Sequence, residues 1–275
     1  KMKAIKLQKL LLLFILSFMA LIYLGPFIFS VIVSFSDDKN LINQPGQVVN
    51  SGWTLRNYIY IWKDLPFSTW LFNSVVITLC QTVTNVFFSA LAGFTFAKLE
   101  FRGKNLIFGA MMASLMIPGI ILIIPKFMLI NELHMINSYP GLILPGMVSI
   151  VNIFLMKQFF ETMPKDLEQA ALIDGCNYFQ MFWKVFIPNS KPALAAVAIY
   201  TFQGTWNEFM WPLIATNTGE MFTLPVGMAS LRYELLTDWP AIMAGTILVS
   251  LPTLLIFVVF QRYFVQGIAS TGGKE

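Results

Sequence analysis

The feature that most constrains this chain is a series of long stretches without an ionisable side chain. A helix needs about 20 consecutive, mostly apolar residues to cross the hydrocarbon core of a bilayer. Five uncharged stretches reach that length, and a further one contains a single acid, Glu208. The six stretches are 10–36, 65–97, 105–125, 135–156, 192–214 and 239–261. They predict an all-α polytopic membrane protein with six transmembrane helices.

The composition excludes most soluble classes. Hydrophobic residues make up 57% of the chain and charged residues only 12%, about half of the charged share in soluble domains. His134, Cys80 and Cys176 are too few for a disulfide framework or a four-ligand metal site. The net charge of +4 is typical of basic cytoplasmic loops in a membrane protein, so we expect lipid contacts and no nucleic-acid partner.

The distribution of basic residues predicts the orientation, because Lys and Arg concentrate in cytoplasmic loops. With the N-terminus inside, 13 of the 18 basic residues lie on the cytoplasmic side, so both termini are predicted to be cytoplasmic. The first stretch follows four lysines and could instead be a signal peptide. Its apolar run is much longer than the roughly 7–15 residues of a signal sequence, which favours a retained helix.

Prolines and small residues predict irregular helices. Ala90, Gly93 and Ala97 form a stripe at helical spacing, which lets another helix approach closely. A proline within a span removes an N–H donor and kinks the helix. Such prolines are Pro118, Pro125, Pro145, Pro212 and Pro252. Both features are consistent with ordinary packing of a helix bundle. They are equally consistent with a gate that moves at the helix kinks.

Segment 157–191, on the predicted cytoplasmic side, is long for a loop and is predicted to contain two short helices. Pro164 suits the first turn of a helix over 165–174, which Gly175 ends. One side of this helix carries Leu167, Ala170, Ala171 and Asp174. The alanine pair is a shallow surface suited to docking into a cleft of another protein. The helix pair could equally lie on the lipid headgroups.

The second helix of the segment has its own start and stop signals. Asn177 can cap its N-terminus, with Gln180 three residues later in the place of a capping-box partner. The helix is predicted to stop before Pro188. Its aromatic residues are predicted to share one face: Phe179, Phe182, Trp183 and Phe186.

The stretch PKDLEQAALIDGCNYFQMFWKVFIPNSKP, from Pro164 to Pro192, resembles the EAA loop of permease subunits from binding-protein-dependent ABC importers. That motif reads Glu-Ala-Ala, three residues, Gly, nine residues, then aliphatic, any residue, aliphatic and Pro. The matching residues here are Gln169, Ala170, Ala171, Gly175, Val185, Ile187 and Pro188. The flanking stretches resemble MalG-type permease subunits of carbohydrate ABC importers: LFNSVVITL, AGFTFAKLEFRG, MIPGIILIIPKF, NSYPGLILP, WNEFMWPLI and TLPVGM.

The resemblance implies a type I ABC importer permease fold, also called MetI-like. The core is expected over 71–264 and includes the EAA loop at 157–191. It is preceded by a cytoplasmic tail with the first helix at 1–36 and by an outer loop at 37–70. A cytoplasmic tail at 265–275 follows it.

The resemblance also implies the function and the partners. The chain would form half of the translocation pathway for a di- or oligosaccharide, in the cell membrane of a prokaryote. Its partners would be a homologous MalF-like permease subunit, two MalK-like ATP-binding subunits and an extracytoplasmic sugar-binding protein. The chain has no G-x-x-x-x-G-K-[ST] motif, so ATP and Mg²⁺ would be used by the ATPase subunits. We expect the chain itself to bind no cofactor and to catalyse no reaction.

The resemblance places the ATPase-coupling residues in the EAA loop, and one of them departs from the family pattern. The expected residues are Glu168, Gln169, Ala170, Ala171, Asp174, Gly175 and Pro188. The family's first motif residue is Glu, which is thought to pair with a basic residue of the ATPase. Here Gln169 takes that position and Glu168 precedes it. Neighbours on a helix point about 100° apart, so Glu168 is not a simple substitute, although Gln169 could still hydrogen-bond there.

Four residues of the membrane half are candidates for the substrate pathway. A carboxylate inside a span costs about 3 kcal/mol at the midplane, which makes Glu208 a candidate. Its predicted position near the outer interface favours structural pairing or snorkelling over a role in the pathway. Trp206 could stack on a sugar ring, and Asn152 and Asn207 could form hydrogen bonds to a substrate.

The remaining predictions concern the outer surface and the alternative functions. The loop 215–240 contains Glu220, Arg232, Glu234 and Asp238, and we expect it to face the binding protein. An ion-coupled secondary transporter would be expected to show an internal repeat and paired charges near the midplane. An intramembrane hydrolase would need a nucleophile and a base in reach of each other. The sequence shows neither pattern.

Overall fold

The computed structural model describes the backbone of residues 2–38, 52–230 and 238–272, and the side chains of 9–38, 52–230 and 238–260. Within these ranges the chain is mainly α-helical, and the extended pairing there is an isolated bridge between Ser36 and Trp53. The helices are α1 Met2–Ser34, α2 Arg56–Asp64, α3 Phe67–Lys98, α4 Lys104–Ser114, α5 Ile123–Glu132, α6 Tyr139–Ile143, α7 Ile150–Thr162, α8 Lys165–Ile173, α9 Tyr178–Met181, α10 Ile187–Asn189, α11 Lys191–Trp206, α12 Met210–Ala215, α13 Leu224–Ser230 and α14 Trp239–Gly272.

The chain divides into two compact units. The first is formed by Lys1–Phe67 and Met228–Leu251, and the second by Ser68–Gly227 and Pro252–Glu275. In the first unit, Asn57 of α2 donates two hydrogen bonds of 2.9 Å to the carbonyl oxygens of Ser34 and Ser36, at the end of α1. These bonds satisfy carbonyl groups that a helix leaves unpaired at its C-terminus. The second unit contains the segment that resembles the EAA loop.

Among the residues that the structure describes, three single helices are long and apolar enough to cross a membrane. They are the parts of α1, α3 and α14 over Lys9–Ser34, Phe67–Lys98 and Trp239–Phe260, and they match the first, second and sixth predicted spans. The third and fourth predicted spans are bent pairs of helices. The segments Lys104–Ser114 and Gly119–Glu132 meet at 95°, and Tyr139–Gly146 and Ile150–Thr162 meet at 41°.

The predicted fifth span is broken into α11 and α12. α11 has 16 residues and ends at Trp206, and α12 has six residues and begins at Met210. Pro212 cannot donate to the carbonyl group of Glu208, and its ring would clash with that carbonyl in a continuous helix. The interruption over 207–209 therefore follows from the sequence, and neither piece alone reaches the length of a membrane span.

One side of α3 is polar and buried, which the hydropathy of the sequence conceals. The buried polar residues of this helix are Asn73, Ser74, Thr78, Gln81, Asn85 and Ser89. Gln81 donates from Nε2 to the carbonyl oxygens of Leu142 and Ile143, at 3.0 and 3.3 Å, and accepts from Thr205 at 2.9 Å. The amide of Gln81 thus links α3 to the broken fourth span and to α11.

Further side chains donate hydrogen bonds to backbone carbonyl groups of the same broken span. Asn85 donates to the carbonyl oxygen of Gly146 at 2.6 Å. The indole of Trp211 donates to the carbonyl oxygen of Gly141 at 3.2 Å, a group that lost its helical donor because Pro145 has no N–H. Irregular backbone at membrane depth is tolerated only where protein groups satisfy it. α3 and α12 therefore supply the donors that the interrupted helix requires.

The small-residue stripe on α3 is a close contact with α7. A Cβ atom added at Gly93 would lie 2.6 Å from Met156 Cβ and 2.8 Å from the backbone nitrogen of Lys157. Ala90, one turn away, is buried in the same core. The predicted close approach of another helix is confirmed, and α7 is that helix.

Candidate functional site

The segment between α7 and α11 begins as predicted, with a helix and a glycine turn. α8 starts directly after Pro164, whose extended backbone precedes the first turn. Gly175 has a φ of +75°, which is the left-handed conformation that glycine adopts without a steric cost. The N–H groups of Asp174, Gly175 and Cys176 donate to the carbonyl groups of Ala170, Leu172 and Ala171. These bonds close the C-terminus of α8 and reverse the chain direction.

The capping box of the second helix is also present. Asn177 Oδ1 accepts from the backbone N–H of Gln180 at 2.8 Å, and Gln180 Oε1 accepts from the backbone N–H of Asn177 at 3.1 Å. The two bonds satisfy two donors that a helix N-terminus leaves unpaired. The second helix therefore starts at a fixed angle after the Gly175 turn.

The prediction that this helix stops before Pro188 is wrong. It continues from α9 through a π-helical turn at Phe182–Phe186 into α10, and ends at Asn189. Pro188 cannot donate to the carbonyl group of Lys184, and the wider π-helical turn accommodates the ring. The side chain of Asn189 donates to the carbonyl oxygen of Val185 at 2.7 Å. Pro188 itself is exposed.

The π-helical turn also separates the aromatic residues that were expected on one face. Phe182 and Phe186 are buried, whereas Phe179 and Trp183 are exposed. The buried pair packs against Phe94 of α3 at ring-centroid distances of 5.3 and 5.0 Å, and Phe186 lies 5.6 Å from Phe160 of α7. This aromatic core, Phe94, Phe160, Phe182 and Phe186, fixes the segment on α3 and α7.

The structure corrects the predicted face of α8. Ala171 is only 4% exposed and belongs to the core around the aromatic residues, and Leu167 packs against that core. Ala171 is therefore a close contact within this chain, on the side of α8 that faces its own core. On α8 and its turn, the exposed residues are Lys165, Asp166, Gln169, Ala170, Leu172, Ile173, Asp174 and Gly175. Ile173 is 85% exposed.

Glu168 also points toward its own chain. Its Oε2 lies 3.6 Å from the Nζ of Lys98, the last residue of α3. The side chain of Gln169 is exposed on the outward side of α8. Of the two residues, Gln169 therefore occupies the position where a partner could approach.

The four substrate-pathway candidates have contacts within the chain. Asn152 is buried and donates to Asn85 Oδ1 at 3.0 Å and to Thr201 Oγ1 at 2.8 Å. Trp206 is 1% exposed and stacks on Phe202, with ring centroids 5.7 Å apart and 8° between the planes. Buried in this way, Trp206 presents neither ring face at the surface of this chain, and its place in the substrate pathway stays a prediction.

The other two candidates lie at the break between α11 and α12. Asn207 is exposed and donates to the carbonyl oxygen of Gln203 at 2.8 Å, which closes the end of α11. Glu208 is exposed, and its Oε1 accepts from the backbone N–H of Trp211 at 3.1 Å in the first turn of α12. Both side chains stabilise the ends of interrupted helices.

The segment after α12 is held in place by side chains of the same unit. Asn137, which has a φ of +58°, accepts at Oδ1 from the backbone N–H groups of Asn217 and Thr218, at 2.9 and 3.1 Å. Trp70 Nε1 donates to the carbonyl oxygen of Gly219 at 2.9 Å. Residues 217–220 are exposed. Arg232 and Glu234 of the predicted outer loop lie outside the described residues.

The sequence interpretation missed the buried polar groups of α3. Asn73 donates to the carbonyl oxygens of Glu220 and Phe222, at 2.7 and 2.9 Å, and Ser74 accepts from the N–H of Leu224 at 2.7 Å. Asn73, Gln81, Asn85 and Ser89 are spaced by multiples of four within an uncharged stretch. Residues four apart are neighbours on a helix surface, so the run of Gln81, Asn85 and Ser89 is a signal that could have predicted this polar stripe.

Comparison with known proteins identifies the family. Residues 85–270 match the model of the binding-protein-dependent transport system inner membrane component. This chain belongs to that family. The match includes α8, the Gly175 turn and the helix that follows, so the family assignment covers the segment whose geometry is described above.

Two curated relatives match most of the chain. The arabinooligosaccharides transport system permease protein AraQ of Halalkalibacterium halodurans is 35% identical over 261 residues, which is 94% of each chain. The sn-glycerol-3-phosphate transport system permease protein UgpE of Yersinia enterocolitica is 32% identical over 259 residues, or 91% of this chain and 92% of the relative. The chain therefore resembles these permease proteins over nearly their full lengths.

A solved structure supports the fold. A chain from the crystal structure of a bacterial ABC transporter involved in the import of the acidic polysaccharide alginate superposes with a TM-score of 0.80. The match covers 94% of this chain and 97% of that chain at 23% sequence identity. The fold of the chain is that of an ABC importer permease.

Proposed function

We propose that this chain is one of two permease subunits of an ATP-driven importer for a di- or oligosaccharide. A MalF-like second permease would complete the translocation pathway, two MalK-like subunits would hydrolyse ATP with Mg²⁺, and an extracytoplasmic protein would deliver the sugar. The relatives support the transport class, and the name of the AraQ relative supports an oligosaccharide substrate. This chain would form part of the sugar pathway and would transmit movement of the ATPase to the membrane helices.

The observation that carries the proposal is the exposed side of α8. Gln169, Ala170 and Ile173 project from a helix whose opposite side is fixed by the aromatic core. A small residue at position 170 lets a partner approach the helix backbone, and Ile173 offers an apolar side chain to bury. We therefore assign the ATPase-docking surface to Gln169, Ala170, Ile173, Asp174 and Gly175.

Co-purification separates an ABC permease from an ion-coupled transporter. We expect a tagged copy of this chain, expressed with its cognate partner subunits, to retain the ATPase through detergent extraction and size-exclusion chromatography. The physical reason is that the chain has no nucleotide-binding motif, so a bound ATPase must supply the energy. A tagged chain that transports sugar without any associated ATPase would contradict the proposal.

The orientation with both termini in the cytoplasm follows from the distribution of basic residues and has a direct test. A reporter fused after Lys274 should be active only if it is a cytoplasmic reporter. A reporter inserted within 44–52 should be active only if it is an external one. Swapped activities would place α8 on the outer side and would exclude contact with a cytoplasmic ATPase.

The outer segment 217–220 is proposed to contact the binding protein. Asn137 and Trp70 fix its backbone, and a fixed exposed segment loses little conformational entropy when a partner binds. In a background with Cys80→Ser and Cys176→Ser, cysteines at Thr218 or Gly219 should cross-link to the binding protein in the nucleotide-trapped complex. A cysteine at Arg102, an exposed residue on the predicted cytoplasmic side, is the control and should give no adduct with it. The absence of an adduct at both outer positions would contradict this contact.

A further inference from the structure

A charged contact joins the end of α3 to the first turns of α8. The side chain of Lys98 is 7% exposed and that of Glu168 is 24% exposed, and their charged atoms are 3.6 Å apart. Lys98 Nζ also lies 5.2 Å from the centroid of the Phe186 ring. The ammonium group is thus held between a carboxylate of α8 and an aromatic ring of the following helix.

The burial of this contact distinguishes it from the neighbouring ion pairs. Lys104 pairs with Glu100, and Lys157 pairs with Glu161, each across four residues. Glu100 is 89% exposed, so its pair is weakened by water and salt. Lys98 and Glu168 are 70 positions apart in the sequence. Removing the Glu168 carboxylate would leave the nearly buried ammonium group of Lys98 without its partner.

We propose that the Lys98–Glu168 pair is a tie through which movement of α8 displaces α3. The proposal rests on the proposed function, in which the ATPase pushes on the exposed side of α8. Glu168 is then a positioning residue that acts within this chain, while Gln169 faces the partner. α3 carries the polar residues that hold the irregular fourth span and the outer segment. A displacement of α3 would therefore reach the parts of the pathway that must rearrange.

The test compares sugar uptake with ATP hydrolysis in the complete transporter, reconstituted in vesicles with its binding protein. Lys98→Met and Glu168→Gln should each lower the number of sugars imported per ATP hydrolysed by about ten-fold or more, with the ATPase still bound, since each leaves one charge of a buried pair unmatched. The exchanged variant Lys98→Glu with Glu168→Lys should recover uptake to within about three-fold of the wild type, because it restores the attraction. Lys104→Met is the matched control and should leave the ratio unchanged.

A purely structural pair would give a different pattern. Uptake and hydrolysis would then fall together with the amount of assembled complex, and the ratio would stay constant, which would overturn the proposal.

If the single variants do not assemble, the double variant Lys98→Met with Glu168→Gln leaves no unmatched charge and is measured instead. A wild-type ratio in that variant would overturn the tie as well. If the wild-type complex itself fails to couple ATP hydrolysis to sugar uptake, the proposed function fails and not the tie alone.

Discussion

Ala170→Asp should abolish sugar uptake and release the ATPase while leaving the chain folded in the membrane. Ala170 is exposed in this chain, so a carboxylate there meets water until the partner docks. In the docked state it would be an unpaired charge removed from water, which costs about 3–5 kcal/mol. That cost corresponds to an association more than about 100-fold weaker. The measurement is the ATPase retained by the purified permease complex, together with uptake in vesicles.

Matched variants of the same helix separate docking from folding. Gln169→Glu adds a carboxylate one position earlier, where the family motif has Glu, and should be tolerated. Ala171→Asp places the charge in the core instead, and should lower the yield of folded chain. Full ATPase retention and wild-type uptake in Ala170→Asp would show that α8 does not contact the ATPase.

The glycine turn offers a second test of the same surface. An atom added at Gly175 meets nothing within 4 Å in this chain, so Gly175→Leu acts through its positive φ and through the partner. The left-handed conformation costs a leucine about 1–2 kcal/mol, whereas asparagine adopts it more readily. Gly175→Leu should therefore lose uptake and Gly175→Asn should retain most of it. Unchanged uptake and ATPase binding in Gly175→Leu would contradict a docking role for the turn.

Gln81→Met should lower the stability of the chain. Methionine keeps the length of the side chain but removes both donors to the carbonyl groups of Leu142 and Ile143. A buried carbonyl group without a donor costs about 1–3 kcal/mol. The Tm of the purified complex should fall by at least about 5 °C, because 1 kcal/mol corresponds to about 2–4 °C for a chain of this size.

Cys80→Leu is the control for that measurement. Cys80 precedes Gln81 on the same helix and is exposed, so its replacement by an apolar side chain should leave Tm within about 1 °C of the wild type. An equal Tm for Gln81→Met and the wild type would show that the broken span does not depend on α3 for its hydrogen bonds.

The sequence predicts the parts of this fold that depend on local chemistry. The lengths of the uncharged stretches predict α1, α3 and α14. Gly175 predicts the left-handed turn, and Asn177 with Gln180 predicts the capping box. Each of these depends on residues close together in the chain. The close approach at Gly93 is also predicted, because only small residues allow it.

The sequence does not predict which neighbour each side chain meets across the fold. Ala170 and Ala171 look equivalent in the motif, yet only Ala171 is buried, because the aromatic core lies on that side of α8. Glu168 finds Lys98 at the end of a helix 70 positions earlier. Such contacts depend on tertiary packing, and hydrophobic periodicity carries no information about them.

The same limit explains the errors around proline. A proline predicts that a helix is interrupted, but the surrounding contacts decide how the interruption is accommodated. Pro188 is accommodated by a π-helical turn that the packed residues Phe182 and Phe186 stabilise. Before Pro212 the helix is completely interrupted. There the side chain of Glu208 accepts a hydrogen bond from the backbone N–H of Trp211.

The most direct test of the account is ATP-dependent uptake of labelled oligosaccharides, taken from a panel, into vesicles that contain the complete transporter. The account predicts uptake that requires both internal ATP and external binding protein, and that is lost in Ala170→Asp but kept in Gln169→Glu. Uptake that follows an ion gradient without ATP, or that continues unchanged in Ala170→Asp, would contradict the claim that this chain is a permease moved by an ATPase docked on α8.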